Sequence, residues 1–221
     1  MLHNAIIGPE TVDHPYFVAF MKGFRLPCGP LDLNLSEFAK RFSDGTCEFV
    51  TSLLETRITA IQDALASIFP AMSDKGFPAL FREFLEGSGF PPSLNPQDLQ
   101  GRFADVVSLV DASKKGFRMK MFCWATTGVP RVLLDGYTEV SLVHDDDPQY
   151  TNLTMEEDDR MRHVNNGICC FKTCTRMMLI PASYLLALLQ APNRDPQVVM
   201  DTISSWLLLQ ILDAIGNYNI V

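Results

Sequence analysis

The chain has 221 residues, of which 47% are hydrophobic and 20% are charged, and its formal net charge is −8. This composition is typical of a folded protein that can bury a sizeable core, and it argues against a disordered chain. No basic cluster offsets the acidic balance, so a nucleic-acid phosphate surface is not expected as a partner.

The sequence gives no sign of a membrane span, a signal peptide or a disulfide framework. The longest apolar run, 206–212, is interrupted by Gln210 and is short of the roughly 20 residues that a span needs. Residues 1–8 lack the charged and apolar regions of a signal peptide. The six cysteines lack disulfide-framework spacing. We therefore expect no membrane partner and a reducing cytoplasmic or nuclear setting.

The N-terminal part of the chain is expected to be mainly helical. Short helices are candidates at 16–24 and 31–42, between turn signals. From 48 to 69 apolar residues recur every three or four positions until a proline, which predicts an amphipathic helix. A second amphipathic helix is predicted at 77–86, with Gly87 as its C-cap. Both apolar faces are expected to pack in the core.

Residues 87–97 are the best candidate for a linker. Three prolines and two glycines stand in this stretch, a composition that fixes turns while leaving few side chains to bury. It divides the chain into a helical region at 1–94 and a second domain at 95–221. An ordinary surface loop is the other interpretation.

The second domain is predicted to mix helices with short strands, which makes the chain an α+β protein. Asn95 followed by Pro96 is typical of a helix start, and Asp195 followed by Pro196 is typical of another. The apolar pattern predicts helices at 96–110, 112–126, 184–189 and 195–216, and strands at 137–144, 168–171 and 177–180.

Seven acidic residues lie between 145 and 159, with no lysine or arginine among them. We interpret this stretch as a solvated acidic loop. It lacks the alternating ligands and the glycine of a calcium loop.

The candidate reactive residue is Cys174. Lys172 and Arg176 flank it, and nearby cations favour the thiolate, the form in which a cysteine reacts. The apolar run 177–180, stopped by Pro181, predicts a buried strand directly after it. The sequence therefore predicts a cysteine held at the edge of a sheet.

Thr173-Cys174, followed by Pro181 and Tyr184, resembles the active-site segment of HECT-type ubiquitin-protein ligases. In that family a Thr-Cys pair precedes a short apolar strand that ends in Leu-Pro, with a tyrosine nearby. The stretch from Phe122 to Pro130 also resembles the opening of the HECT C-lobe, where a helix ends in Thr-Gly before a proline. The resemblance covers roughly residues 48–221.

The resemblance implies a HECT-like catalytic C-lobe at 95–221, preceded by the end of an N-lobe. It implies that Cys174 takes ubiquitin from a ubiquitin-conjugating enzyme as a thioester and passes it to a lysine of a protein substrate. Thr173, and Tyr218 near the C-terminus, would contact the transferred ubiquitin. The mechanism needs no cofactor and no metal. Rotation about the linker would bring the cysteine to its partners.

Three alternatives remain open. HECT domains usually carry histidine two residues before the cysteine and Phe-Asn after it, where this chain has Lys172, Thr175 and Arg176. The first alternative is a truncated or degenerate HECT-like domain that keeps the fold and binds partners without catalysis. A cysteine hydrolase would pair Cys174 with His144 or His163. A zinc site would draw on the cysteines at 169, 170 and 174 together with His163.

Overall fold

The structure is a computed structural model, and it describes most of the chain from residue 59 onward. The described residues are 18–19, 22–23, 27–28, 33–34, 52–54, 59–72, 76–107, 112–113, 116–130, 138–148, 150, 156–192 and 195–217. They show helices packed with a mixed sheet, so the predicted α+β class is confirmed at that level.

A four-stranded sheet forms the centre of the described fold, in the order β3-β4-β6-β5. Its strands are β3 (Ser52–Leu54), β4 (Glu139–Val143), β5 (Cys170–Lys172) and β6 (Met177–Pro181). Strands β3, β4 and β6 are parallel, and β5 pairs antiparallel with β6 along the sheet edge. Two further strands, β1 (Pro27–Cys28) and β2 (Leu33–Asn34), form a separate antiparallel pair.

Eight helices of four residues or more lie in the described part of the chain, and residues 18–19 and 22–23, inside the candidate helix 16–24, are also helical. The eight helices are α1 (Thr59–Ile68), α2 (Gly76–Glu86), α3 (Pro96–Arg102), α4 (Ala104–Val107), α5 (Phe117–Thr127), α6 (Glu157–Asn165), α7 (Ala182–Leu189) and α8 (Pro196–Asn217). A short 3₁₀ turn, Pro70–Met72, follows α1.

Two N-terminal predictions are corrected by the strands. Residues 52–54, which were expected to begin the helix at 48–69, pair with β4, and the helix itself is described from Thr59. Leu33–Asn34, inside the candidate helix 31–42, belongs to β2. In both places the backbone gains inter-strand hydrogen bonds that a periodic apolar pattern cannot foresee.

Helices α2 and α3 begin close to their predicted positions, whereas α5 begins later. Helix α2 matches the predicted 77–86 and buries its aromatic face. Asn95 caps α3 by accepting a 3.1 Å hydrogen bond from the N–H of Gln97. Helix α5 begins five positions after the predicted 112, because Gly116 precedes it in a left-handed conformation with φ 80°.

The acidic stretch is helical where the sequence suggested only a loop. Helix α6 begins with Glu157, Asp158 and Asp159, whose charges stabilise the positive end of the helix dipole. Arg160 and Arg162 lie 3.8 Å and 3.6 Å from carboxylates one turn earlier. The prediction of a solvated loop is therefore wrong for residues 157–159.

The two faces of the sheet cover different cores. Met178 and Ile180 of β6 face a large cluster that includes residues of α1, α2, α5, α7 and α8. Leu179, which points the opposite way, packs with Val143, Tyr150 and Val164. The alternation of side chains along β6 thus separates the two clusters.

Helix α8 is the longest described element. Residues Pro196–Ile215 are long and apolar enough to cross a membrane by length and composition alone. However, 61% of its most apolar stretch is buried inside the protein, and a core helix passes the same test. Asp195 caps the start of α8, accepting a 2.9 Å hydrogen bond from the N–H of Gln197, as the Asp-Pro pair predicts.

The predicted domain boundary lies within a shared core. Phe81 of α2 packs edge-on against Phe122 of α5, with ring centroids 5.3 Å apart. Residues from both sides of position 94 belong to the same hydrophobic cluster. The division into 1–94 and 95–221 stays a prediction, and in the described residues no separation of two cores accompanies it.

Candidate functional site

Cys174 lies at the tip of the hairpin formed by β5 and β6. Lys172 pairs with Met177, which leaves residues 173–176 as the connecting turn. The N–H of Thr175 donates to the carbonyl of Lys172, and that of Arg176 donates to the carbonyl of Thr173, both at 3.2 Å. These two bonds form consecutive turns, so the tip has a defined backbone conformation.

Arg176 is the only non-glycine residue with positive φ among those the structure describes, at 56°. Its carbonyl accepts a 2.9 Å hydrogen bond from the N–H of Glu139, at the start of β4. The left-handed conformation closes the turn, and the hydrogen bond ties the tip to the neighbouring parallel strand. A side chain larger than hydrogen costs roughly 1–2 kcal/mol in this conformation.

The Cys174 side chain is exposed, in contrast to those of Cys123, Cys169 and Cys170. Cys123 and Cys169 are buried, and Cys170 is half-buried. The sequence predicted a cysteine at the edge of a sheet, and the structure locates Cys174 beside the edge strand β5. Thr173 is half-buried next to it, while Tyr218 lies outside the described residues.

The two flanking cations are not bonded to the candidate thiol. Among the described residues, no hydrogen bond or ion pair joins Cys174 to Lys172 or Arg176. The charge of Lys172 instead interacts with Cys170, which lies two residues earlier on the same face of β5. Burial raises the pKa of the Cys170 thiol, and the charge of Lys172 partly offsets that rise.

The described histidines lie at the other end of the hairpin from Cys174. His144 follows the last residue of β4, whereas Cys174 precedes β6, and these parallel strands pair Glu139 with Met177 and Val143 with Pro181. Their five paired residues span roughly 15 Å at about 3.3 Å per residue.

His163 is joined to the start of the hairpin. Its carbonyl accepts a 3.0 Å hydrogen bond from the N–H of Ile168, which lies just ahead of β5. Because β5 runs from there toward the tip, His163 is far from Cys174. The strand register thus separates His144 from the Cys174 thiol, and the course of β5 separates His163 from it.

Three side chains to which the sequence analysis gave no role in the site hold the hairpin in position. Trp206 Nε1 donates to the carbonyl of Gly167 at 2.8 Å, and Tyr150 Oη donates to that of Ile168 at 2.6 Å. Gln210 Oε1 accepts from the N–H of Cys169 at 2.9 Å. Gln210 interrupts the apolar run of α8, and that interruption was the available signal for a polar contact.

No metal cluster is found at the tip in the described residues. They contain no group of three or more histidine, cysteine, aspartate or glutamate side chains that could hold an ion. A cavity of about 370 Å³ lies between α1 and α7, lined partly by Asp63, Ser67 and Gln190. Its lining includes no residue of the hairpin.

Comparison with known proteins identified no relative of this chain. No protein-family model, curated protein or solved structure matches this chain. Any statement about activity therefore depends on the residues and their geometry.

Proposed function

We propose that this chain is a HECT-like ubiquitin-protein transferase in which Cys174 carries ubiquitin as a thioester. The observation that carries the proposal is the exposure of Cys174 on the turn between β5 and β6. A thiol that receives ubiquitin from a second protein has to be reachable by a macromolecule, and a hairpin tip satisfies that requirement.

The proposed reaction has two steps. The Cys174 thiolate attacks the thioester carbonyl of ubiquitin on a ubiquitin-conjugating enzyme, a new carbon–sulfur bond forms, and the enzyme's thiolate leaves. A lysine amine of a protein substrate then attacks the new thioester, and the Cys174 thiolate leaves as the isopeptide bond forms. Exchange between thiols is nearly balanced in energy, so the protein contributes mainly orientation and access.

The geometry favours transfer over hydrolysis. A cysteine hydrolase keeps a histidine within hydrogen-bond reach of its thiol. His144 and His163 lie at the opposite end of the strands from Cys174, as the register requires. Thioester exchange does not need a fixed histidine beside the sulfur.

A non-catalytic HECT-like interaction domain is the second candidate. The observation that favours it is the absence, among the described residues, of a hydrogen bond or ion pair that activates Cys174. In that case the hairpin would bind a partner without forming a covalent bond.

Thioester formation distinguishes the candidates. The chain is mixed with ubiquitin-activating enzyme, a panel of conjugating enzymes, ubiquitin and ATP, and the products are separated on non-reducing gels. The transferase predicts an adduct that thiols cleave, that Cys174→Ala abolishes, and that Cys174→Ser converts to a thiol-resistant ester. No adduct with any conjugating enzyme would favour the interaction domain.

A hydrolase would behave differently in the same experiment. It would cleave preformed ubiquitin conjugates and react with an electrophilic ubiquitin probe. Cys170→Ser is the matched control, because Cys170 lies on the same hairpin but is half-buried. The adduct should survive that substitution.

A further inference from the structure

Residues 87–95, which we call the connector, join α2 to α3 and are bound at several points to other helices. Arg118 of α5 binds the first part of the connector. Its Nε donates to the carbonyl of Gly89 at 3.0 Å, and its Nη1 donates to the carbonyl of Phe84, at the end of α2, at 3.3 Å. The guanidinium carbon also lies 5.6 Å from the centre of the Phe84 ring. One side chain thus links α2, the connector and α5.

The Arg118 side chain occupies space that only glycine leaves free. A Cβ added at Gly87 would lie 2.3 Å from Nη1 of Arg118. Arg118 is only 8% exposed, which is unusual for a permanently charged residue. The absence of a side chain at Gly87 therefore leaves the space that the buried Arg118 guanidinium occupies.

The other end of the connector is bound to α8. The N–H of Ser93 donates to Oδ2 of Asp201 at 3.1 Å, and the hydroxyls of Ser93 and Ser205 are hydrogen-bonded to each other. Ser205 Oγ also donates to the Asp201 carbonyl at 2.8 Å. The second carboxylate oxygen of Asp201, Oδ1, is buried and has no hydrogen-bond partner among the described residues.

The contacts that Arg118 and Asp201 make with the connector are linked by charge and by packing. Burial lowers the pKa of Arg118, and the charge of Asp201 opposes that effect, so the carboxylate stabilises the buried cation. Between them, Phe90 packs edge-on against Phe117 with ring centroids 5.2 Å apart. Leu94 is also packed against the large core cluster.

We infer that the connector is a latch, held shut by Arg118 and Asp201, which locks α2 to α5 and α8. The connector has the composition of a flexible linker. However, the hydrogen bonds of Gly89 with Arg118 and of Ser93 with Asp201 restrict its backbone as long as they are present. Any rotation between the parts on either side requires release of Arg118 and Ser93 as well as separation of the core that the two parts share. This inference concerns conformation and does not require that Cys174 carry ubiquitin.

Amide hydrogen exchange of the full-length chain tests the latch. The amides of Ser93 and Leu94 donate to Asp201 and to the carbonyl of Pro91, so they should exchange slowly in the wild type. Arg118→Lys keeps the charge but loses the fork that reaches two carbonyls at once. It should raise exchange in residues 87–95 about 10- to 100-fold and leave β4 and β6 unchanged.

The control is Arg102→Lys, the same substitution in the exposed pair with Asp213 at 2.8 Å. It should leave exchange in the connector unchanged. Ser93→Ala, which removes only the contact with Ser205, gives a milder opening if Arg118→Lys fails to fold. Fast exchange at Ser93 and Leu94 in the wild type would overturn the latch. An equal rise throughout the protein in both Arg118→Lys and Ser93→Ala would also overturn it.

Discussion

Trp206 Nε1 donates a 2.8 Å hydrogen bond to the carbonyl of Gly167, and this contact joins α8 to the chain that enters the Cys174 hairpin. The Tyr184 ring packs on Trp206, with centroids 5.1 Å apart. Gly167 is therefore close to two aromatic side chains that pack on each other. Through them the largest helix of the core fixes where β5 begins.

Gly167→Ala should destabilise the protein by about 2–4 kcal/mol. Gly167 has φ +61°, and an added Cβ would lie 2.3 Å from the Tyr184 ring, so left-handed strain and a steric clash combine. The control is Gly128→Ala, with φ +78° but no atom within 4 Å of the added Cβ, which should cost only about 1–2 kcal/mol. Urea unfolding measures both, and equal losses would contradict the packing described around Gly167.

The cysteines of the hairpin should differ in their reaction with an alkylating reagent. Cys174 is exposed, Cys170 is half-buried, and Cys169 is buried, so labelling should be fastest at Cys174 and slowest at Cys169. Peptide mass spectrometry after short exposures gives the order. Unfolding in urea should remove most of the difference. Cys169 labelled as fast as Cys174 in the folded protein would show that the hairpin is not packed as described.

Stability should fall at alkaline pH because of Cys169. Burial raises its pKa well above the usual value, and the neighbouring Cys170 adds to the rise. A thiol that loses its proton more easily when unfolded contributes stability below pH of about 8.5, and that contribution falls as pH rises toward the folded pKa.

Cys169→Ala should therefore flatten the decline in unfolding free energy above pH of about 8.5. One group contributes a slope of at most about 1.4 kcal/mol per pH unit. The variant will also be less stable at neutral pH because it leaves a small cavity. Urea midpoints measured at several pH values test the slope, and an unchanged slope would count against burial of this thiol.

Arg176→Gly should keep or slightly raise stability, by roughly 0–1 kcal/mol. Glycine removes the left-handed strain at φ 56° but gains freedom in the unfolded chain. Arg176→Ala keeps the strain and serves as the comparison. Thermal unfolding tests the pair, and a large loss in Arg176→Gly would mean that the arginine side chain, and not the turn, maintains the tip.

The sequence was sufficient for elements whose signals are local. Helix α2 has one continuous aromatic face and a glycine at its end, and α8 begins at an Asp-Pro pair, so both were predicted nearly to the residue. Strand β6 was predicted because an apolar run meets Pro181. In each case the residues that define the element are its own.

The sequence was insufficient where a distant partner decides the structure. Leu53 and Leu54 fit a helical period as well as a strand, and their pairing with β4 depends on residues about 85 positions away. The proline and glycine content of 87–97 indicated a linker, but Arg118 and Asp201 fix it from other helices. The sequence likewise predicted a cysteine at the edge of a sheet, but it did not predict the turn between β5 and β6 in which Cys174 lies.

The central claim is that Cys174 receives ubiquitin from a conjugating enzyme. The most direct measurement is a single-turnover chase, in which a charged conjugating enzyme is mixed with the chain and the adduct is mapped by mass spectrometry without reducing agent. The account predicts that ubiquitin leaves the conjugating enzyme and appears as a thioester on the Cys174 peptide, unchanged by Cys170→Ser and lost in Cys174→Ala. An adduct on any other residue, or none after the whole panel of conjugating enzymes, would contradict it.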